Sequence, residues 1–208
     1  AQQATVSDLC DWDLTEAEAG RILGRRTRPI KKSTLAMDKS RIETHIKPLL
    51  GKRLAHTVKG ADIEALQSDI VAGKTAKPRG SGRGGVTTGG PGVASRAVGT
   101  LQSILGHAAR LDKLESHPSR GARKLAGQKK QRRLSVAEIR KLGAAMRHAE
   151  RSSENPVALA IVRFLALTGF RISEGQGMQR HWLEAEAGYV AFPDTKSEAQ
   201  IRAIGPSA

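Results

Sequence analysis

Cysteine, aromatic residues and long apolar runs are scarce in this chain, and each scarcity excludes a class of protein. Cys10 is the single cysteine in 208 residues, so a disulfide framework and a cysteine-based zinc site are excluded. Aromatic residues make up 3% of the chain, which argues against binding single-stranded nucleic acid by base stacking. No apolar run approaches the roughly 20 residues of a membrane-spanning helix. The six histidines show no metal-ligand spacing, so the sequence predicts no metal site.

Positive charge, by contrast, is abundant and unevenly distributed. The net charge is +15, from 35 basic and 20 acidic residues. Residues 20–53 contain 11 basic and two acidic residues, and residues 120–133 contain seven basic residues and no acidic one. These stretches lack the Trp, Phe and Leu face of a membrane-surface helix, so duplex DNA bound through its phosphates is the predicted partner. No signal peptide is visible, and we expect a cytoplasmic protein.

Helical periodicity dominates residues 1–127. Apolar residues recur at helical spacing in four segments, around residues 5–19, 33–48, 61–72 and 94–111. Ser7 is the predicted N-cap of the first segment, and Ser33 or Thr34 opens the second. Glycine dominates residues 77–92, and a mobile loop is predicted there. The basic stretch after residue 120 then indicates a linker between two domains.

Residues 128–208 combine helices with a predicted hairpin. Ser135 and Glu138 have the spacing of a capping box, and Asn155 followed by Pro156 is typical of a helix start. The helix over 157–167 is apolar on nearly every side, so we expect it at the centre of its domain, with Gly169 as its stop. Two strands, over 188–193 and 200–204, should flank a turn.

Arg171 and Lys196 are the candidate chemical residues. Arg171 follows the apolar helix and a glycine, where its guanidinium can be held beside a phosphate and stabilise charge with paired donors. Glu174, three residues on, can brace the arginine. Lys196 lies at the predicted hairpin tip, where it can protonate a leaving oxygen. The simpler interpretation is a surface arginine paired with Glu174 and a solvated turn lysine.

Residues 165–174 and 194–197 together resemble the first half of the active site of a tyrosine recombinase (phage integrase). The resemblance extends to residues 5–125, which are similar to the core-binding domain of that family, and to residues 133–139, which are similar to the entry into its catalytic domain. It implies a mainly α fold. A helical, SAM-like core-binding domain (1–127) would precede a truncated mixed α/β catalytic domain with a β-hairpin (128–208).

The resemblance also implies chemistry and partners. Arg171 and Lys196 would be catalytic and Glu174 supporting, in strand exchange through a 3′-phosphotyrosyl intermediate that needs no cofactor. The full-length protein would form tetramers on paired sites of double-stranded DNA, away from membranes. The residues expected to bind DNA are Lys31, Lys32, Thr34, Lys39, Arg132 and Arg133.

The sequence departs from the family pattern after Lys196, because no His-x-x-Arg motif and no tyrosine nucleophile follow. Tyr189, the sole tyrosine, precedes the lysine and is interpreted as a packing residue. We therefore expect the 208 residues to be part of a longer enzyme and to bind DNA without cleaving it. Two alternatives remain: a non-catalytic basic DNA-binding or architectural protein, and an RNA-binding protein.

Overall fold

A computed structural model describes residues 4–24, 27–77, 89–119, 121–127, 131–193, 195 and 199–205. It separates into two compact parts, unit 1 (Ala1–Lys130) and unit 2 (Gln131–Ala208). The architecture is mainly α with a small antiparallel sheet, which confirms the predicted fold class. The assignment of residues 1–127 and 128–208 to two functional domains stays a prediction.

Unit 1 is built from helices. They are α1 (Val6–Glu18), α2 (Lys32–Arg41), a π-helical turn (Ile42–Ile46), α3 (Lys47–Leu50), a 3-10 turn (Ala55–Thr57), α4 (Gly60–Val71) and α5 (Pro91–Arg110). Their apolar faces form one core in which α5 is the longest element and packs against α4 and α1. Burial of these faces, rather than helix propensity, supplies most of the stability of such short helices.

Three helix starts in unit 1 differ from the predictions. Helix α2 begins at Lys32, before the predicted Ser33 or Thr34, because Lys31 is the last residue with an extended backbone, and no side chain caps it. The N-cap of α1 is Thr5, not Ser7, because Thr5 and Asp8 satisfy each other: the Thr5 hydroxyl accepts from the Asp8 N–H at 3.2 Å, and the Asp8 carboxylate accepts from the Thr5 N–H at 2.8 Å. Helix α5 begins at Pro91, three residues before the predicted start, because proline suits the first turn, where its missing N–H costs nothing. Most of the predicted mobile loop, residues 78–88, lies outside the described residues.

Unit 2 contains helices, short turns and a three-stranded sheet. Its elements are α6 (Val136–Arg151), α7 (Pro156–Thr168), α8 (Ile172–Gln176), a 3-10 turn (Arg180–Trp182), β1 (Leu183–Glu184), β2 (Tyr189–Phe192) and β3 (Gln200–Ala203). The strands are antiparallel in the order β1-β2-β3. The capping box of Ser135 with Glu138 and the Asn155 cap of α7 are confirmed. Strand β1 was not predicted from the sequence.

The predicted central position of α7 is wrong within the described structure. No residue of α7 is buried, and Leu167 is 52% exposed. The reason is that α6, α8 and the sheet cover only one side of this helix. The core of unit 2 consists of Phe170, Val190 and Phe192, and partly buried side chains pack against it: Phe164, Leu165, Met178, Trp182 and Ile204.

Candidate active site and DNA-binding residues

Arg171 is placed by the turn between α7 and α8. Gly169 ends α7 in the left-handed region at φ 66°, a conformation that costs glycine little. Phe170 then turns inward and makes edge-to-face contacts with Phe164 and Phe192, at ring-centroid distances of 5.2 and 5.4 Å. Arg171 follows as the extended N-cap of α8. A buried aromatic anchor thus fixes the backbone directly before the candidate catalytic arginine.

Glu174 holds the Arg171 side chain. One carboxylate oxygen accepts from Arg171 Nη1 at 2.5 Å, and the other accepts from the Arg171 backbone N–H at 2.8 Å. The Arg171 side chain is 52% exposed, whereas that of Glu174 is 7% exposed. The backbone N–H and the guanidinium of Arg171 hold the pKa of Glu174 below its ordinary value, against the opposing effect of burial. The arrangement is therefore a braced guanidinium that still faces solvent.

A second arginine, Arg202, joins this site and was missed by the sequence analysis. Its Nη1 donates to the Glu174 carboxylate at 2.7 Å. Its guanidinium also lies over the Phe170 ring, 4.3 Å from the centroid. Arg202 is opposite Val190 in the β2–β3 register, and opposite residues of antiparallel strands share a face. Arg202 therefore projects from the face of β3 that carries the core of unit 2.

The hairpin lysine cannot be placed by the structure. Lys196 lies outside the described residues, so its role as the proton donor stays a prediction. The hairpin itself is confirmed, with β2 and β3 paired from Tyr189–Ala203 to Phe192–Gln200. Tyr189 is half-buried within β2, consistent with a packing role.

The predicted DNA-binding residues of unit 1 gather on α2. Lys31 is the N-cap of α2, Lys32 its first residue, and Lys39 lies two turns later. Lys32, Lys39 and Lys31 are exposed, and Thr34 is half-buried. No residue of α2 is buried, and its lysines lie on the exposed part of its surface. That position suits contact with a polyanion.

Arg132 and Arg133 lie in the extended segment before α6, and both are exposed. Arg132 donates to the Glu138 carboxylate at 2.5 Å. Glu138 also accepts from the Ser135 backbone N–H and hydroxyl, and the backbone bond is the main reason why its pKa lies below the ordinary value. A phosphate contact by Arg132 would therefore compete with this ion pair.

The described residues contain neither a metal-binding group of side chains nor a membrane-spanning helix. No three His, Cys, Asp or Glu side chains among the described residues are grouped so that they could hold a metal ion. Within those same residues, no helix has the length and apolar character to cross a bilayer.

Comparison with known proteins identifies the fold. No protein-family model matches the sequence, and no curated protein matches it significantly. Solved structures do match: a lambda integrase tetramer bound to a Holliday junction (TM-score 0.68, 17% identity, 97% of this chain and 51% of that chain) and a lambda integrase dimer bound to a core site (TM-score 0.68, 16% identity, 96% and 49%). A third is the Tn1549 transposon integrase in complex with circular intermediate DNA (TM-score 0.62, 14% identity, 96% and 59%).

The chain thus spans about half the length of the lambda integrase chains it matches. At these identities the likeness concerns the fold, and it covers nearly all of the chain. The resemblance that residues 165–174 and 194–197 suggested is confirmed at that level: this chain has the fold of the tyrosine recombinases lambda integrase and Tn1549 integrase.

Proposed function

We propose that this chain binds duplex DNA as the core-binding domain and the first part of the catalytic domain of a tyrosine recombinase. The observation that carries the proposal is the braced, half-exposed guanidinium of Arg171 at the helix turn of a chain with an integrase fold. The net charge of +15 and the outward-facing lysines of α2 support DNA as the partner.

In the proposed reaction a tyrosine hydroxyl attacks a phosphodiester, forming a 3′-phosphotyrosyl bond, releasing the phenolic proton to solvent and breaking the bond to the 5′-oxygen. Arg171 stabilises the negative charge on the non-bridging oxygens as the five-coordinate phosphorus forms. Lys196 donates the proton that the leaving 5′-oxygen takes up, and a 5′-hydroxyl reverses the sequence at rejoining. The covalent intermediate conserves the phosphodiester energy, so the scheme needs no cofactor.

The nucleophile is not supplied by Tyr189, which sits inside β2 in the paired part of the sheet. The 208 residues should therefore bind DNA and leave it uncleaved. We further propose that the full-length protein assembles as a tetramer on paired sites.

Binding is tested first, with the 208-residue chain as it is. Fluorescence anisotropy with labelled duplex DNA should show salt-dependent binding, and unlabelled duplex should compete better than structured RNA or single-stranded DNA. A preference for structured RNA would instead support the RNA-binding alternative. Absence of binding to any duplex at low salt would contradict the proposal.

Cleavage is tested with the product of the whole reading frame that contains these residues. A suicide substrate nicked beside the scissile phosphate should trap a covalent protein–DNA adduct, and Arg171→Ala should abolish the adduct while duplex binding persists. Arg163, which pairs with Glu150 elsewhere in unit 2, offers a matched control: Arg163→Ala should leave the adduct intact.

The competing function is a non-catalytic basic DNA-binding or architectural protein, which the charge alone would explain. It predicts duplex binding with no adduct from the whole reading frame. It also predicts that Arg171 has no role beyond its ion pair with Glu174.

A further inference from the structure

Arg202 contacts residues on both sides of Arg171 in sequence. It lies over the Phe170 ring, one residue before Arg171, and it donates to Glu174, three residues after it. Neither contact is local, because 28 positions separate Arg202 from Glu174. The β2–β3 pairing is what brings this strand to the helix turn.

The two arginines divide the Glu174 carboxylate between them. Arg202 Nη1 bonds to Oε2, and Arg171 Nη1 bonds to Oε1. Oε2 also accepts from the Arg171 backbone N–H. With Oε2 occupied in this way, Glu174 meets the Arg171 guanidinium through a single oxygen, and the Arg171 side chain keeps its 52% exposure. A carboxylate without this second cation would be free to take both donors of the arginine fork.

Arg202 also balances charge at the site. Glu174 is nearly fully enclosed, and an enclosed carboxylate needs a compensating cation. If Arg171 alone supplied that compensation, its own positive charge would be neutralised toward any incoming phosphate. With Arg202 present, two guanidinium groups face one carboxylate, so the three side chains together carry one net positive charge, and Arg171 is the more exposed of the two cations.

We propose that Arg202 is a positioning residue that orients and neutralises Glu174 and thereby leaves the Arg171 guanidinium available for a DNA phosphate. The proposal rests on the proposed function for the identity of the anion. It does not rest on that function for the effect of Arg202 on Glu174, which is a property of the DNA-free protein.

The first measurement therefore uses the DNA-free chain. Carboxylate ¹³C NMR follows the titration of Glu174 in the parent chain and in Arg202→Met, which retains an apolar stem over Phe170 but removes the charge. The pKa of Glu174 should rise in Arg202→Met, return toward the parent value in Arg202→Lys, and stay unchanged in the control Arg163→Met. A titration of Glu174 that is the same in Arg202→Met as in the parent chain would overturn the proposal.

The second measurement is the salt dependence of duplex binding. One lost phosphate contact lowers the slope of log affinity against log salt by about 0.9. Arg171→Ala and Arg202→Met should each lower the slope by about that amount, and the double variant should lose no more than either single variant. The proposal would be overturned if the two variants lowered the slope additively, because Arg202 would then contact phosphate itself. It would also be overturned if Arg202→Met left the slope unchanged.

Failure of the proposed function gives a different pattern. If the parent chain binds no duplex, the DNA assignment fails, while the Glu174 titration still decides whether Arg202 positions this carboxylate. Far-ultraviolet circular dichroism of each variant identifies one that has lost its fold. In that event Arg202→Lys replaces Arg202→Met in both measurements. A folded Arg202→Lys chain whose salt slope and Glu174 pKa both match those of the parent chain supports charge balance. A parent-like salt slope with a Glu174 pKa that differs from the parent value counts against it.

Discussion

Lys32 and Lys39 offer the sharpest test of DNA binding by unit 1. They are seven residues apart on α2, so they share one face of the helix at an axial separation of about 10 Å, or roughly three base-pair rises of duplex DNA. Each lysine that contacts a phosphate contributes about 0.9 to the slope of log affinity against log salt. Replacing both by alanine should therefore lower the slope by about 1.8.

The effect on affinity follows from the same relation. When salt rises from about 50 to about 200 mM, each phosphate contact lowers the affinity for duplex DNA by about 3.5-fold. Over that interval the affinity of the parent chain should therefore fall about 12-fold more than that of the double variant. Stability should change by less than about 0.5 kcal/mol, because α2 buries no residue and alanine is a good helix former. Fluorescence anisotropy at several salt concentrations measures the slope.

The control is Lys52→Ala, which removes an exposed lysine of unit 1 from the turn after α3. It should leave the slope unchanged. The reasoning would be refuted if Lys52→Ala matched the loss of either α2 variant. It would also be refuted if the α2 variants lost affinity for one duplex sequence only, since phosphate contacts are common to all sequences.

Three further predictions concern the core of unit 1. Leu101→Ala, at a fully buried position of α5, should lower the free energy of unfolding by about 2–5 kcal/mol in urea titrations followed by Trp12 fluorescence in a Trp182→Phe background; a loss below about 1 kcal/mol would contradict the core assignment. Burial lowers the pKa of His45, whose Nδ1 lies 2.6 Å from Thr75 Oγ1, so unit 1 should lose stability as pH falls from the ordinary histidine pKa through the lowered one, and His45→Gln should flatten that dependence of Tm on pH. Burial raises the pKa of the Cys10 thiol to about 12, so a thiol reagent should label Cys10 only as fast as unit 1 unfolds; rapid labelling under native conditions would argue against this.

Local signals in unit 2 were the most reliable part of the sequence analysis. The capping box at Ser135, the Asn155 cap and the left-handed Gly169 were all predicted, because each depends on residues within one helical turn. Arg171 was located for the same reason, since an apolar helix, a glycine stop and a following acidic residue define the turn that holds it.

Features that depend on distant pairing were missed. In β3 the apolar Ile201 is 74% exposed, whereas Arg202 lies on the inner face. The register with β2 decides this, because Val190 and Phe192 occupy the inner face and are opposite Arg202 and Gln200. A buried Glu174 would have indicated a second cation, but its burial could not be read from the sequence.

The error over α7 has a related cause. Periodicity reports which sides of a helix are apolar, but it does not report how many neighbours will cover them. In the described residues α7 is covered on one side only, so an all-round apolar sequence was insufficient evidence for a central position.

Asp38 connects helix α2 to helix α5 through a hydrogen bond, although no residue of α2 is buried. Its carboxylate accepts from Arg41 within α2 at 2.7 Å and from Thr100 of α5 at 2.9 Å, so a helix without a single buried residue is nonetheless tethered to the longest helix of the core. The lysines of α2 therefore lie on a backbone that is ordered before a ligand binds, so little binding free energy is lost in ordering that backbone. Asp38→Ala removes this contact between α2 and α5. It should leave the association rate of the ligand unchanged and raise its dissociation rate.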